Sequence, residues 1–90
     1  KYFFGMGMPK LYNYNVTVNN TSDSKVENWK VEINFSDNIA LNQGWSGEYT
    51  INGSTLVITP VSYNVSIEAG QSVSDIGFIL EGSAGLHIVE

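Results

Sequence analysis

The feature that most restricts this chain is a period of two. Apolar and polar residues alternate through several short runs, turn-forming clusters separate the runs, and no apolar stripe recurs at helical spacing. The clearest run is Trp29 to Phe35, where Trp29, Val31, Ile33 and Phe35 point one way while Lys30, Glu32 and Asn34 point to water. Tyr12 to Val18 repeats the scheme, with Tyr12, Tyr14, Val16 and Val18 on one face and Asn13, Asn15 and Thr17 on the other. Glu48 to Ile51 and Ser54 to Thr59 read as a hairpin through Asn52-Gly53, because both turn residues accept the positive φ of a type I′ turn. Val73 to Leu80 and Leu86 to Val89 are predicted strands, with another at Tyr2 to Gly7. Asn19 to Ser24, Ser36 to Asn38, the Gly44/Gly47 segment and the stretch from Pro60 to Gly70 read as turns or irregular structure. Roughly seven short strands without a helical period predict an all-β domain, either a two-sheet antiparallel β-sandwich or a small barrel.

The 90 residues suit one domain over 1–90 and leave no room for a second core or for a deep cleft between lobes. Nine acidic against four basic residues, a formal charge of −5, give the wrong sign for holding phosphates, which argues against nucleic acid and anionic membrane surfaces as partners. No apolar run is long enough to cross a bilayer. The absence of cysteine excludes disulfides, thiolate metal sites and thiol nucleophiles. The start at Lys1, without Met or a signal-peptide pattern, reads as a fragment of a longer polypeptide.

Little in the chain points to catalysis. His87 is the single histidine, with no neighbouring Ser, Cys or Asp motif, and it reads as an edge-strand side chain. A glycosidase needs two carboxyl groups across a cleft, but Glu27, Glu32, Glu48, Glu68 and Glu81 read as solvated turn or outward positions. Asp37-Asn38 and Asp75 with Glu81 offer oxygen ligands without a run that would gather several around one ion. Neither metal nor cofactor is expected, and the domain reads as a binding module rather than an enzyme.

The aromatic residues divide into two groups. Trp29 continues the inward set of a well-formed strand and belongs to the core. Trp45 sits in Asn42-Gln43-Gly44-Trp45-Ser46-Gly47, among residues that belong at the surface, where an indole in water needs a reason. Tyr63, after Pro60, has a similar setting, and Tyr12, Tyr49 and Met8 are weaker candidates, since strand alternation or local packing accounts for each. Exposed rings suit sugars, since stacking desolvates the C–H face of a pyranose and sets weakly positive hydrogens against the negative π face. Asn42 and Gln43, with Asn13 and Asn15 on a polar strand face, offer donors and acceptors for hydroxyl groups.

The succession Asn15-Val-Thr-Val-Asn-Asn-Thr-Ser22, Val26-Glu-Asn-Trp29-Lys-Val31, Asn42-Gln-Gly-Trp45-Ser46, Tyr63-Asn64, Glu68-Ala-Gly70 and Ile76-Gly-Phe78 resembles the family 2 carbohydrate-binding modules. The resemblance implies a β-sandwich of immunoglobulin-like or jelly-roll-like kind. It implies a secreted, cell-surface or cellulosome-associated module, monomeric, joined covalently to a glycoside hydrolase or scaffold, and adsorbing to cellulose, another β-glucan or xylan. By the same resemblance Trp45 and Tyr63 match strip positions, Asn15 and Gln43 match polar contacts, and Trp29 matches the buried tryptophan. The chain departs from the pattern in three places: Met8 stands near the first strip position, the terminal cysteines are absent, and Ile79 to Gly82 is longer than usual. A strip of Trp45 and Tyr63, with Tyr12, suits single or disordered glycan chains. The competing expectation is a structural or protein-interaction sandwich that has lost its strip.

Overall fold

The computed structural model describes residues 10–89. The predicted strand at Tyr2 to Gly7, and Met8 with it, lie outside that range. Nine strands are present among the described residues: β1 (Lys10–Asn19), β2 (Val26–Glu27), β3 (Val31–Phe35), β4 (Ala40–Trp45), β5 (Glu48–Asn52), β6 (Thr55–Thr59), β7 (Ser66–Ile67), β8 (Ser72–Gly82) and β9 (Ile88–Val89). A single 3₁₀ turn, η1 (Ser62–Asn64), interrupts them. One sheet has the order β1-β8-β4, the other β5-β6-β3-β9, and β2 pairs with β7 as a separate short ladder. All pairings are antiparallel. The fold is a β-sandwich.

Alternation explains the core. Ile76, Phe78 and Leu80 on β8 face Leu56 and Ile58 on β6, all fully buried, while Phe35, Ile67 and Leu86 close the ends. Side chains of period two on two facing sheets put one apolar row per strand into a shared interior. The inward tyrosines add rings: Tyr14 stacks on Phe78 at 5.4 Å between centroids and meets Phe35 edge-on at 5.6 Å. Burial pushes the Tyr14 phenol pKa up, with a smaller contribution from Tyr12.

Two expectations change. The hairpin turn is Gly53-Ser54 rather than Asn52-Gly53, since Asn52 pairs with Thr55 and only Gly53 of the two has positive φ, +67°. This register sets Ile51 opposite Leu56 and Tyr49 opposite Ile58, apolar against apolar, where a turn centred on Asn52-Gly53 would set Ile51 against Ser54. The second change is β4. Residues 40–45 form an edge strand, although the sequence around Gly44 reads as a turn. Every residue of β4 is exposed, and the register slips between Leu41 and Gln43, so a bulge at Asn42 erases the alternation that would betray a strand.

Candidate functional site

The outer face of the β1-β8-β4 sheet carries most of the candidates. Because Ile76, Phe78 and Leu80 point inward, Gly77, Ile79 and Glu81 of the central strand point outward. Register then fixes three rows across the sheet: Asn15–Gly77–Trp45, Asn13–Ile79–Gln43 and Leu11–Glu81–Ala40. Trp45, Gln43 and Asn15 therefore share one face, with Asn13. Among the described residues, the side chains of Asn13, Asn15 and Gln43 have no hydrogen-bond partner, whereas Asn42 Nδ2 donates to Glu81 Oε2 at 3.0 Å.

Trp45 closes β4 and lies against the sheet rather than standing off in a turn. A Cβ placed on Gly77 would come within 2.6 Å of the indole Cε2 and 2.8 Å of Nε1, so the ring occupies the space that any other residue at 77 would fill. Gly77 is buried beneath it, and the indole remains 44% exposed. The adjacent pair, Gly44 opposite Phe78, faces the interior, and there a Cβ on Gly44 would meet Tyr49 Cδ1 at 2.7 Å. Two neighbouring glycines thus admit two rings onto opposite sides of one strand pair.

Tyr49 also fixes the backbone under the indole. Its hydroxyl lies 2.8 Å from the carbonyl oxygens of both Trp45 and Gly77, the register pair itself, and shares its one proton between them. Burial raises the Tyr49 pKa; the two backbone hydrogen bonds lower it by less, and the nearby Tyr63 adds a small upward push.

Tyr63 joins the face at the Trp45 end. It lies on η1, 71% exposed, and its hydroxyl donates to Ser46 Oγ at 3.0 Å. Ser46 Oγ in turn donates to Asp75 Oδ2 at 3.0 Å. Ser46 adopts a φ of +61°, uncommon for a residue with a Cβ, and the buried Asn64 holds it there by donating Nδ2 to the Ser46 carbonyl at 2.8 Å. The same Asn64 accepts from the Val61 amide at 2.9 Å through Oδ1, and its carbonyl accepts from Trp29 Nε1 at 2.7 Å. The core tryptophan therefore anchors the turn that presents Tyr63.

Tyr12 is not brought to this face. It shares the inward side of β1 with Tyr14, and its hydroxyl donates to the Ser83 carbonyl at 2.7 Å. Sequence reasoning met Ser46, Asn64 and Gly77 only as parts of the family pattern, Asp75 as a possible oxygen ligand and Tyr49 as a weaker surface candidate, so their part in holding the site escaped it, as did the outward Ile79. The one available signal was a glycine inside a strand otherwise rich in apolar residues, which marks a close approach by another group. His87 is exposed, and its Nδ1 lies 2.9 Å from the Gly85 carbonyl. Among the described residues no cluster of three or more His, Cys, Asp or Glu forms.

An indole and a phenol beside a row of open amides suit the faces and hydroxyl edges of sugar rings, and the family that the sequence matches makes this sandwich a carbohydrate-binding module. The chain belongs to the cellulose-binding domain family, whose model matches residues 9–88. It is 32% identical over 78 residues to Endoglucanase A of Thermobispora bispora, an alignment covering 87% of this chain and 17% of that protein. It is 35% identical over 72 residues to Endoglucanase E-5 of Thermobifida fusca, covering 80% of this chain and 15% of that one. Among solved structures, the chitin-binding domain of Chi18aC from Streptomyces coelicolor superposes with a TM-score of 0.69 at 25% identity, covering 89% of this chain and 73% of that domain. The chain thus spans under a fifth of the length of these cellulase relatives.

Proposed function

We propose that residues 1–90 form one non-catalytic module that adsorbs to a β-1,4-linked plant cell-wall glycan, a glucan first and xylan next, outside the cell. Trp45 and Tyr63 stack on sugar rings, while Asn15 and Gln43, with Asn13, hydrogen-bond to hydroxyls at the ring edges. The observation that carries this reading is the indole of Trp45 seated over Gly77 with Tyr63 tied to the next residue, Ser46. A ring already ordered in the free protein loses little freedom on binding. Binding on this reading needs neither a metal nor a large movement. The module acts as a monomer that delivers an attached glycoside hydrolase or scaffold to its polysaccharide, as the cellulase relatives support.

The test is affinity electrophoresis through gels containing soluble β-glucan or xylan, with sedimentation on insoluble cellulose and chitin. Chitin belongs in the panel because the Streptomyces coelicolor domain binds it. Retardation by β-glucan, lost in Trp45→Ala and unchanged by chelator, is the expected result. A protein that none of these polysaccharides retains is not a glycan-binding module, and the structural-spacer reading takes its place.

A further inference from the structure

The three rows of the outer face contain a second pattern. Read from row to row, the apolar side chains fall on a diagonal: Trp45 on β4, Ile79 on β8 and Leu11 on β1. Hydrogen-bonding groups lie on both sides of that line, Asn15 and Asn13 toward β1, and Gln43 and Glu81 with its partner Asn42 toward β4. Leu11 is 62% exposed, so the far end of the diagonal is an uncovered aliphatic side chain on a strand whose other outward residues, Asn13, Asn15 and Thr17, are polar.

We propose that Ile79 and Leu11 continue the binding site of Trp45 as an aliphatic track, along which one linear glycan chain crosses the sheet obliquely. The inference rests on the glycan-binding reading above and adds two contact residues and a direction to it. The chemistry matches a linear β-linked polysaccharide: its ring faces carry C–H groups that an indole or a branched alkyl group desolvates, and its edges carry hydroxyls that amides on either flank satisfy. Two residues per row and one strand per step place Trp45 and Leu11 roughly 17 Å apart between Cα atoms. A disaccharide on the indole falls short of Leu11, and a hexasaccharide reaches it. Tyr63 stands at the opposite end, so the track has four apolar stations in the order Tyr63, Trp45, Ile79, Leu11.

Length dependence tests this. Isothermal titration of the chain and of Leu11→Ser, Ile79→Thr and Trp45→Ala with β-1,4-gluco-oligosaccharides, from disaccharide to hexasaccharide, should separate the stations. Leu11→Ser is expected to weaken hexasaccharide binding on the order of fivefold and leave the disaccharide unchanged. Ile79→Thr should act at intermediate lengths, and Trp45→Ala at every length. Methyl resonances of Leu11 and Ile79 in the unmutated chain should shift with hexasaccharide, the Leu11 signal remaining still with disaccharide. The track is wrong if Trp45→Ala abolishes binding while both aliphatic variants keep full hexasaccharide affinity, or if they weaken all lengths alike. Should no oligosaccharide bind the unmutated chain while β-glucan or cellulose still retains it, the track fails and the functional reading stands; where no polysaccharide retains it either, both fail.

Discussion

The two sheets of this sandwich obey the same rule and present different surfaces. On the β5-β6-β3-β9 side, the outward positions form rows such as Thr50–Val57–Glu32 and Asn52–Thr55–Asn34, with Val89 at the β9 edge. The β1-β8-β4 side has rows built alike, an edge strand against a central one, but where Thr50 faces Val57 on the first sheet, Trp45 faces Gly77 on the second. A β-branched residue opposite a small polar one is an ordinary outward pair that fits a half-solvated sheet. A glycine in the middle of a strand weakens it, and its presence at 77 is explained by the ring that takes the vacated space. Core-directed alternation is therefore indifferent to function, which is written in the outward half of the pattern, and there in pairs rather than in single residues.

Removing the ring is the largest expected effect. Trp45→Ala should cut polysaccharide affinity more than tenfold, since a central aromatic contact dominates a small interface, while costing the fold no more than about 2 kcal/mol. Thr50→Ala and Glu32→Ala on the opposite face should leave affinity unchanged. Equal losses from both faces, measured in the same electrophoresis gels, would show that the site is not confined to one sheet.

Next in size is the seat. Gly77→Ala inserts a methyl group where Cε2 and Nε1 of the indole lie, and the Tyr49 hydroxyl, holding the carbonyls of both 45 and 77, resists any separation of the strands. The indole must then rise from the sheet. Affinity should fall severalfold, with greater quenching of Trp45 fluorescence by acrylamide. In a Trp45→Ala background the same change should do nothing further, because Gly77 acts through the ring. An independent additional loss would instead mean that the glycine touches the ligand.

How much of this was readable from sequence follows from the same pairing argument. The core strands were legible because each carries its own alternation: Trp29, Val31, Ile33 and Phe35 were expected inward, and they are buried or half-buried. The β4 strand was not legible, since an edge strand with a bulge at Asn42 and a glycine at 44 has no periodic apolar face to reveal it. Trp45 stood out as an indole among polar residues, yet its seat depends on Gly77, 32 residues away in sequence and adjacent only through strand register. Tyr12 shows the converse: as a ring in isolation it resembles a candidate, whereas the alternation of its own strand places it inward. Tyr63 could be suspected, but the chain Trp29–Asn64–Ser46 that fixes its turn is long-range throughout.

A smaller effect is expected at Tyr49. Tyr49→Phe keeps the ring that fills the space beside Gly44 and removes the proton shared by the carbonyls of Trp45 and Gly77, a loss of about 1 kcal/mol in stability with a lesser loss in affinity. The sign of its pH dependence is fixed by the raised pKa. Unfolding lets the phenol ionise at the ordinary tyrosine pKa of about 10, while burial makes the folded state keep the proton to higher pH. Above pH 10 the unfolded state therefore binds fewer protons, and stability falls as pH rises. Below pH 10 the contribution is fully present. Alkaline denaturation should be steeper in the unmutated chain than in Tyr49→Phe, and identical slopes would show that Tyr49 does not report the packing of this strand pair.

The smallest change tests whether the rings of the site act together. Tyr63→Phe retains the exposed ring and deletes its hydrogen bond to Ser46, leaving Ser46 attached to Asp75 and Asn64. Because the lost bond is exposed, its net worth is about 1 kcal/mol or less, and the fold should be unaffected. If the hydroxyl serves to hold the ring at a fixed angle to Trp45, affinity for a long oligosaccharide should fall by roughly twofold to threefold, from ordering that must now occur on binding. Disaccharide affinity should stay constant. Tyr63→Ala should then lose more than Tyr63→Phe on the long ligand, which separates the stacking surface from its tether. Equal losses from both variants would assign the whole contribution to the hydroxyl and remove Tyr63 from the stacking surface, leaving Trp45 as the ring that distinguishes one face of the sandwich from the other.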